Sequence, residues 1–427
     1  MVQHMNLRVI KKKFRQEVVL DVDGFCNSKI GIARKFLALC LKVLGGIVLT
    51  LVLAPISLFR PIEIWQMNTR LRKISFFIED LETGLRDLQS RGMAGRVWIL
   101  ALYGLDFPND QLALMYRKHI WILGKKQRFL REIIRFVWPV IRVHRKRVMD
   151  RSSNKFEIWN TGITTLKFSD SETKVGTILE EELGLIGNAP FVCLSIPSKK
   201  YRELVDYKQS EHLTEAKNDL ITSIPDLKSY VPVIQELNFK GIAVVRMGVL
   251  EELKLPKNLG QRAIDYAFLN RSEFGDVWLS SRCLFYLTGG SGAWWLGSIF
   301  GKRAVATDCY ELKGTYGSGD IFIPQLSRSI KRDCLNSFEW MIENQGWAFD
   351  RNRLGIDYEI VKNSPKQITD VTIEMLMRAQ GNWNETDEDK ELQNRFRLVQ
   401  EKLRPGERAP ARIGAKFLRE HQYLLPD

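Results

Sequence analysis

A glycine-rich turn between two apolar runs is the feature that most constrains how this chain folds. Residues 284–308 read LFYLTGGSGAWWLGSIFGKRAVATD, which predicts a buried strand, a loop at Gly289–Gly292, a helix and a second strand. Glycines allow the backbone to approach a ligand, and the N–H groups of a helix N-terminus favour an anion. Ser291 adds a hydroxyl group to this loop. The segment therefore predicts an anion-binding turn, although a tight turn without a ligand is the alternative.

The region around this turn has the pattern of an α/β layer. From about residue 186, short apolar strands alternate with amphipathic helices, which is typical of a parallel sheet. The predicted strands are Phe191–Ile196, Ile242–Met247, Leu284–Leu287 and Arg303–Ala306. The predicted helices are Asp226–Leu237, Phe274–Arg282 and Ala293–Phe300. Ligands of open α/β sheets bind beyond the carboxyl ends of the strands, which is where the glycine turn lies.

Several classes of protein are excluded. The turn has neither the Gly-Lys-Ser/Thr of a P-loop nor a GxGxxG, so an NTPase or a hydride-transfer enzyme is not predicted. The 6 Cys have no close pair and the 5 His are scattered, which argues against a zinc or redox site. A mean hydropathy of −0.18 excludes a polytopic transporter. We expect no bound metal ion.

The net charge of +14 is concentrated in two blocks. Residues 1–35 carry +5 and residues 117–147 carry +10, so the other 361 residues are close to neutral. Apolar residues interleave with the second block, as in helices at a membrane interface. An amphipathic helix with a solvated basic face is the alternative, and nucleic acid is not expected because no binding motif accompanies the charge. The predicted membrane-docking residues are Lys125, Lys126, Arg128, Arg131, Arg135 and Trp138.

An apolar segment, Phe36–Phe59, lies between the two basic blocks. Its 24 residues would reach about 36 Å as a helix, which is long enough to cross a bilayer. Lys42, the Gly45-Gly46 pair and Pro55 suit a kinked or re-entrant segment equally well. We therefore expect this segment to associate with a membrane, spanning it or lying in it, with a buried core helix as the alternative.

These patterns divide the chain into four predicted regions. Residues 1–60 form a basic arm and the apolar membrane segment, and residues 61–185 form a helix-rich N-terminal lobe that faces the acceptor. Residues 186–345 form a Rossmann-like lobe that binds the donor, and residues 346–427 form a polar, helical C-terminal extension.

Several linked motifs in this order resemble a family of bacterial glycosyltransferases encoded among surface-carbohydrate genes. They are GIAVVRMG at 241–248, the stretch at 264–292 that runs from IDYAFLN to TGGSG, and FIP at 322–324. The resemblance covers roughly residues 175–345, and 61–150 more weakly. It implies a GT-B-like architecture of two Rossmann-like lobes, with a nucleotide-sugar held mainly by the C-terminal lobe. It also implies metal-independent transfer without a resident cofactor.

The chain departs from the family pattern at two places. Leu194–Ser198 replaces an LHVRD-like stretch, and Ser223–Asp226 replaces an RNSD-like stretch. Arg246 remains as a partner for a diphosphate, with a structural ion pair as the alternative. Asp265 and Asp276 are candidates for a base or a ribose contact, with helix capping as the alternative for each. The residues expected to bind the donor are Arg246, Gly248, Asp265, Gly289, Gly290, Ser291 and Gly292, and no catalytic residue is predicted.

The sequence thus predicts a membrane-associated glycosyltransferase at the cytoplasmic face of the inner membrane. It would transfer a sugar from a nucleotide-sugar to a lipid-linked or surface-polysaccharide acceptor. The expected partners are these two substrates and an anionic membrane surface, and not nucleic acid. The alternative is a non-catalytic relative that binds ligands or acts as a scaffold after losing donor-site residues.

Overall fold

The computed structural model describes residues 29–67, 73–137, 145–148, 155–187, 189–201, 225–309, 311–345, 353–404 and 406–426. Its helices are α1 (Lys29–Phe59), α2 (Ile74–Ser90), α3 (Asp110–Arg117), α4 (Arg128–Val137), α5 (Lys155–Thr161), α6 (Asp170–Glu182), α7 (Val231–Phe239), α8 (Glu273–Arg282), α9 (Trp295–Ile299), α10 (Phe338–Gln345), α11 (Pro365–Ala379), α12 (Asp387–Gln400) and α13 (Ala415–Glu420). Its strands are β1 (Ile62–Gln66), β2 (Trp98–Leu102), β3 (Trp121–Leu123), β4 (Arg145–Val148), β5 (Phe191–Ser195), β6 (Ala243–Met247), β7 (Ala263–Ile264), β8 (Phe285–Gly289), β9 (Arg303–Cys309), β10 (Ile321–Pro324), β11 (Leu326–Ser329), β12 (Cys334–Leu335), β13 (Tyr358–Val361) and β14 (Arg412–Ile413).

The N-terminal part of the chain builds a parallel sheet of four strands in the order β3-β2-β1-β4. The first strand of this sheet lies in its interior, as in one half of a doubly wound fold. The sequence predicted a helix-rich lobe, in which the apolar run of β2 is the clearest strand signal. The other strands carry weak signals, because β3 has only three residues and β4 reads RKRV, without apolar alternation.

Helix α1 covers one face of the N-terminal sheet. Its Leu49 and Leu53 pack against a cluster that includes Ile62, Ile64 and Leu102. Part of the apolar segment therefore belongs to the core of this lobe. Among the residues that the structure describes, no helix has both the length and the apolarity needed to cross a membrane. This finding corrects the expected location at the inner membrane, and it does not support a membrane span by the apolar segment.

The basic block at 117–147 does not present all of its cations to the surface. Arg131 is buried and donates to the carbonyl oxygens of Tyr103, at 3.3 Å, and Gly124, at 3.1 Å. Its predicted docking role is wrong, because it ties the chain before α4 to the end of β2. Trp138 lies outside the described residues. The remaining predicted docking residues are exposed or half-buried: Lys125, Lys126, Arg128 and Arg135.

The C-terminal part of the chain builds a parallel sheet of seven strands in the order β14-β10-β9-β8-β5-β6-β7. From β7 to β10 this is the strand order of the doubly wound dinucleotide-binding fold, with β5 as the first strand. β5, β6 and β8 are buried along their whole length, which explains their largely apolar sequences. The two sheets together confirm the expected α/β class and fit a GT-B-like pair of Rossmann-like lobes.

The last part of the chain differs from the expected helical extension. β14 hydrogen-bonds to β10 and becomes the edge strand of the seven-stranded sheet. β13 joins β11 and β12 in a small antiparallel sheet. Helix α11 buries Ile368, Val371 and Met375 in the same cluster as Val233 of α7. Residues after 346 thus contribute to the C-terminal lobe, and the short strands β13 and β14 carried no alternation that could be detected beforehand.

The two lobes share one continuous hydrophobic cluster. Trp159 of α5 contacts Trp295 of α9 edge to face, with ring centroids 4.8 Å apart. Lys155 of α5 donates to the hydroxyl group of Tyr316 at 2.6 Å, and Tyr316 in turn bonds Glu79 of α2. This packing places the starts of α2 and α3 opposite the carboxyl ends of the C-terminal strands.

Candidate functional site

A cleft of about 330 Å³ lies between the lobes, at the carboxyl ends of β5, β6 and β8. The order of the C-terminal sheet reverses between β5 and β8, since β6 lies on one side of β5 and β8 on the other. Doubly wound sheets bind ligands in the crevice at such a reversal. The opposite wall comes from the N-terminal lobe and includes Lys73, Ser75 and Asn109. The cleft therefore has the position and the two-sided lining of a substrate site.

The predicted glycine turn forms part of the C-terminal wall. Gly290 has a φ of +67°, a conformation that a glycine adopts without strain. The hydroxyl group of Ser195, the last residue of β5, lies 2.9 Å from that of Ser291. A Cβ on Gly292 would lie 3.2 Å from Ser75 of the other lobe. The structure thus brings Gly290, Ser291 and Gly292 to the cleft, close to the N-terminal lobe.

The helix after this turn is shorter than predicted. A 3-10 turn, Gly292–Trp294, precedes the five-residue α9, whereas the sequence indicated a helix over Ala293–Phe300. Ser291 uses its N–H to bond the Thr288 hydroxyl at 3.1 Å, and its own hydroxyl accepts from the Ala293 N–H at 3.3 Å. Part of the expected anion-binding capacity is therefore used inside the turn.

Gly289 has a packing role. It is buried at the end of β8, and a Cβ there would lie 2.3 Å from the hydroxyl oxygen of Tyr230. That hydroxyl is hydrogen-bonded to Thr307 at 2.6 Å. Gly289 thus leaves room for Tyr230 under the turn, and it does not line the cleft.

Arg246 is engaged within the C-terminal lobe. It is 3% exposed, and its guanidinium lies 2.6 Å from Glu251 and 3.4 Å from Asp265. It also donates to the carbonyl oxygen of Leu253. The Asp265 carboxylate also accepts a hydrogen bond from the backbone N–H of Leu255, at 2.7 Å, and so helps to hold the loop after β6. Arg246 and Asp265 therefore fix the loop after β6, outside the cleft lining, and the structural ion pair describes Arg246 better than donor binding.

Two residues of this loop do reach the cleft. Gly248 lines it, and a Cβ at this position would lie 2.4 Å from the Glu251 carboxylate. Burial raises the pKa of Glu251 to about 7, although Arg246 opposes this shift. Gly248 therefore makes room for a carboxyl group that is ready to change its charge near neutral pH.

Asp276 is the most perturbed acid of the cleft. Ser272 caps the N-terminus of α8, so Asp276, one turn further on, is not the capping residue. One carboxylate oxygen, Oδ2, accepts from Arg271, while Oδ1 is buried without a hydrogen-bond partner. Burial raises the pKa of Asp276 to about 7, and it outweighs the neighbouring Arg271. A buried carboxylate with a free oxygen in a cleft is suited to accept a proton.

The N-terminal wall is tied to α8 directly. The side-chain N–H of Asn109 donates to the carbonyl oxygen of Glu273 at 3.0 Å, and the Asp110 N–H donates to the Glu273 carboxylate at 2.5 Å. Glu273 begins α8, and Asp276 lies three residues later on the same helix face. Asp276 is therefore close to the line where the lobes meet.

Three carboxyl groups with little solvent exposure make stability depend on pH. Burial raises the pKa of Glu251 and Asp276 to about 7, and that of Asp320 to about 6. In the unfolded chain these carboxyl groups ionise at about pH 4. Between about pH 4 and 7 the folded state therefore binds more protons than the unfolded state. We expect the free energy of unfolding to decrease from pH 5 to pH 8, as measured by urea unfolding at four pH values. An increase over this range would contradict the surroundings described for these groups.

Sequence reasoning placed the turn correctly but missed other cleft residues. Glu251, Arg271 and Tyr286 all line the cleft, and none was singled out. Glu251 follows β6 by four residues, so the rule that located the glycine turn could have found it. Arg271 and Asn109 carry no comparable signal, because their positions depend on how the two lobes pack.

Comparisons with known proteins add structures that are described as glycosyltransferases. A glycosyl transferase of family 9 from Veillonella parvula is 10% identical and aligns over 75% of this chain and 98% of its own, with a TM-score of 0.44. The dodecameric glycosyltransferase TibC from enterotoxigenic E. coli is 13% identical over 60% of this chain and 59% of its own, with a TM-score of 0.31. The E. coli heptosyltransferase WaaC, solved with ADP-2-deoxy-2-fluoro heptose, is 10% identical over 64% and 94%, with a TM-score of 0.31.

No family model and no curated protein sequence matches the chain. All three TM-scores lie below 0.5, so the strand order and the cleft rest on the contacts of this chain's own residues. Its relation to glycosyltransferases of surface-carbohydrate genes stays a prediction.

Proposed function

We propose that the protein is a glycosyltransferase that binds a nucleotide-sugar in the cleft between its lobes. The observation that carries this proposal is the position of the cleft, at the strand-order reversal of a Rossmann-like sheet and opposite a second Rossmann-like lobe. In this proposal the C-terminal sheet supplies the nucleotide site, at the position usual for a Rossmann-like sheet. The second lobe supplies a facing wall from which an acceptor can reach the bound sugar.

The chemistry of the lining supports a sugar substrate. Hydroxyl, amide and carboxylate groups surround the cleft, among them Ser195, Asn109 and Glu251. Such groups form hydrogen bonds with ribose and hexose hydroxyls. The Gly290–Gly292 turn allows a diphosphate to approach the backbone. The described cleft lining includes the cations Lys73 and Arg271 but not Arg246, the cation that the sequence predicted there. The backbone turn is therefore the proposed phosphate contact.

The proposed reaction transfers the sugar to a hydroxyl group of the acceptor. The acceptor oxygen forms a bond to the anomeric carbon, and the bond from that carbon to the diphosphate oxygen breaks. The electron pair of the broken bond leaves with the nucleoside diphosphate, and the acceptor proton passes to a base. We propose a saccharide or a lipid-linked saccharide as acceptor and transfer without a metal ion; both rest on the family resemblance of the sequence.

A thermal-shift panel tests the donor site. The purified full-length protein is heated with UDP-, GDP-, CMP- and dTDP-linked sugars, each at increasing concentration. A ligand at a hundred times its Kd stabilises the folded state by about 2.7 kcal/mol, which raises Tm measurably. We expect one nucleotide class to raise Tm, with the matching sugar-free nucleotide giving a smaller shift. A flat panel from folded protein would overturn the proposed donor site.

One observation favours a second candidate, a non-catalytic relative that only binds. Arg246 and Asp265, which the sequence indicated as donor ligands, are both committed to the loop after β6. A protein of this kind would bind a nucleotide-sugar in the panel yet never release its nucleoside diphosphate. Measuring the release of nucleoside diphosphate therefore separates the two candidates.

A further inference from the structure

Two unpartnered polar atoms meet at one side of the cleft. Asp276 Oδ1 is buried and accepts no hydrogen bond, and Arg271 Nε is buried and donates none. The two side chains are held together through Arg271 Nη2 and Asp276 Oδ2. A buried carboxylate oxygen without a partner costs free energy, so it indicates a ligand group or a water that completes it.

A hydroxyl group has the chemistry to complete atoms of both kinds. It donates its proton to the carboxylate oxygen and accepts from the guanidinium N–H. Tyr286 also lines the cleft, and its hydroxyl group is buried. A phosphate would not suit this corner, because it would face the carboxylates of Glu273 and Asp276. The corner therefore has the chemistry of a hydroxyl subsite.

The position of this corner relates it to both lobes. Glu273, one turn before Asp276 on α8, is bonded to Asn109 of the N-terminal lobe. Asp276 itself lines the same cleft as the Gly290–Gly292 turn of the C-terminal lobe. A hydroxyl bound here thus lies where an acceptor held by one lobe would meet a sugar held by the other.

We propose that Asp276 is the catalytic base, with Oδ1 taking the proton of the acceptor hydroxyl and Arg271 fixing the carboxylate through Oδ2. The inference rests on the proposed function and names the residue that the mechanism lacked. The proton of the acceptor hydroxyl moves to Asp276 while the acceptor oxygen forms its bond to the anomeric carbon. The bond from that carbon to the nucleoside diphosphate breaks in the same reaction. The proton then passes to solvent.

The charge state of Asp276 depends on its neighbours. Arg271 favours the carboxylate, whereas burial and Glu273 favour the protonated form. The other titratable groups facing it are Tyr266, Tyr286 and Cys193, and Lys73 lines the cleft from the other lobe. A base acts only when it is deprotonated, so activity should rise with pH as Asp276 loses its proton, near pH 7.

The test uses donor hydrolysis, in which water replaces the acceptor and its proton goes to the same base. The full chain is incubated with the nucleotide-sugar that gives the largest thermal shift, and release of nucleoside diphosphate is followed from pH 5.5 to 8.5. We expect Asp276→Asn to bind this donor with an unchanged thermal shift. Its hydrolysis rate should fall by about 10²- to 10⁴-fold, with loss of the rising limb of the pH profile.

A matched control comes from a buried carboxylate away from the cleft. Asp320 accepts the N–H groups of Ala304 and Gly317, and its pKa is also raised by burial. Asp320→Asn should keep the wild-type hydrolysis rate and pH profile. If Asp276→Asn does not fold, the test uses Asp276→Glu and the pH profile of the wild-type protein instead. A wild-type hydrolysis rate that is flat across this pH range overturns the inference.

The outcomes separate the two proposals. Equal hydrolysis by wild type and Asp276→Asn overturns the role of Asp276 and leaves the proposed function in place. Donor binding without any wild-type hydrolysis overturns the catalytic role and favours the non-catalytic relative. A wild-type protein that binds none of the nucleotide-sugars overturns both.

Discussion

Replacing Gly290 by valine is expected to remove the thermal stabilisation by a nucleotide-sugar. The residue has a φ of +67°, where a β-branched side chain is strained by about 1–3 kcal/mol. The turn would have to shift its backbone to relieve this strain. Since about 1.4 kcal/mol is a tenfold change in affinity, we expect the Kd of the donor to rise by at least about tenfold. The measurement is the concentration dependence of the thermal shift.

Gly301 provides the matched control for this variant. It has a φ of +73° in the turn after α9, no atom lies within 4 Å of a Cβ built there, and it does not line the cleft. Gly301→Val therefore introduces similar strain away from the site, and the donor affinity should be retained. Unchanged binding by Gly290→Val would remove the glycine turn from the donor site, whereas equal losses in both variants would indicate a general loss of structure.

Replacing Arg86 by methionine is expected to cause the largest loss of stability. Arg86 is 4% exposed, and its guanidinium lies 2.9 Å from the buried Glu82. It also donates to the carbonyl oxygens of Trp159 and, at 3.2 Å, Ile299 of the C-terminal lobe. Removing one partner of a buried ion pair leaves the other charge uncompensated, which costs about 3–5 kcal/mol. Urea unfolding at pH 7 measures the change.

A double variant shows whether this cost comes from the isolated charge. Burial raises the pKa of Glu82 and the Arg86 guanidinium opposes this shift, so removing Arg86 leaves the effect of burial without this opposition. Glu82→Gln combined with Arg86→Met removes both charges and should be less destabilised than Arg86→Met alone. A single variant that loses less than about 1 kcal/mol would mean that Glu82 takes up a proton or water at little cost.

Much of the C-terminal lobe could be predicted because its strands are buried on both faces. A parallel strand covered by helices on each side is largely apolar, so β5, β6, β8 and β9 are visible as mostly apolar runs. The turn at Gly289–Gly292 follows one of these runs, and its place at the carboxyl end of a strand required no tertiary information. β1, β3 and β14 escaped prediction because they have between two and five residues and are recognised by their pairing partners.

The roles of the individual side chains were decided by tertiary contacts. From the sequence alone, Arg246 could bind a diphosphate. Its structural role became clear only from the ion pairs that Glu251 and Asp265 form with its guanidinium in the folded chain. Gly289 looks like its neighbour Gly290 in the sequence, yet it is the hydroxyl of Tyr230, far away along the chain, that occupies the space beside it.

The sequence by itself determined the α/β class, the alternation of the central strands with helices and the location of the glycine turn, because these follow from local apolar periodicity and backbone conformation. The tertiary structure alone decided which groups face the cleft. A carboxylate such as Asp276 acquires its raised pKa and its unpartnered oxygen from burial between two lobes. Burial of this kind depends on residues far apart along the chain, so no local pattern records it.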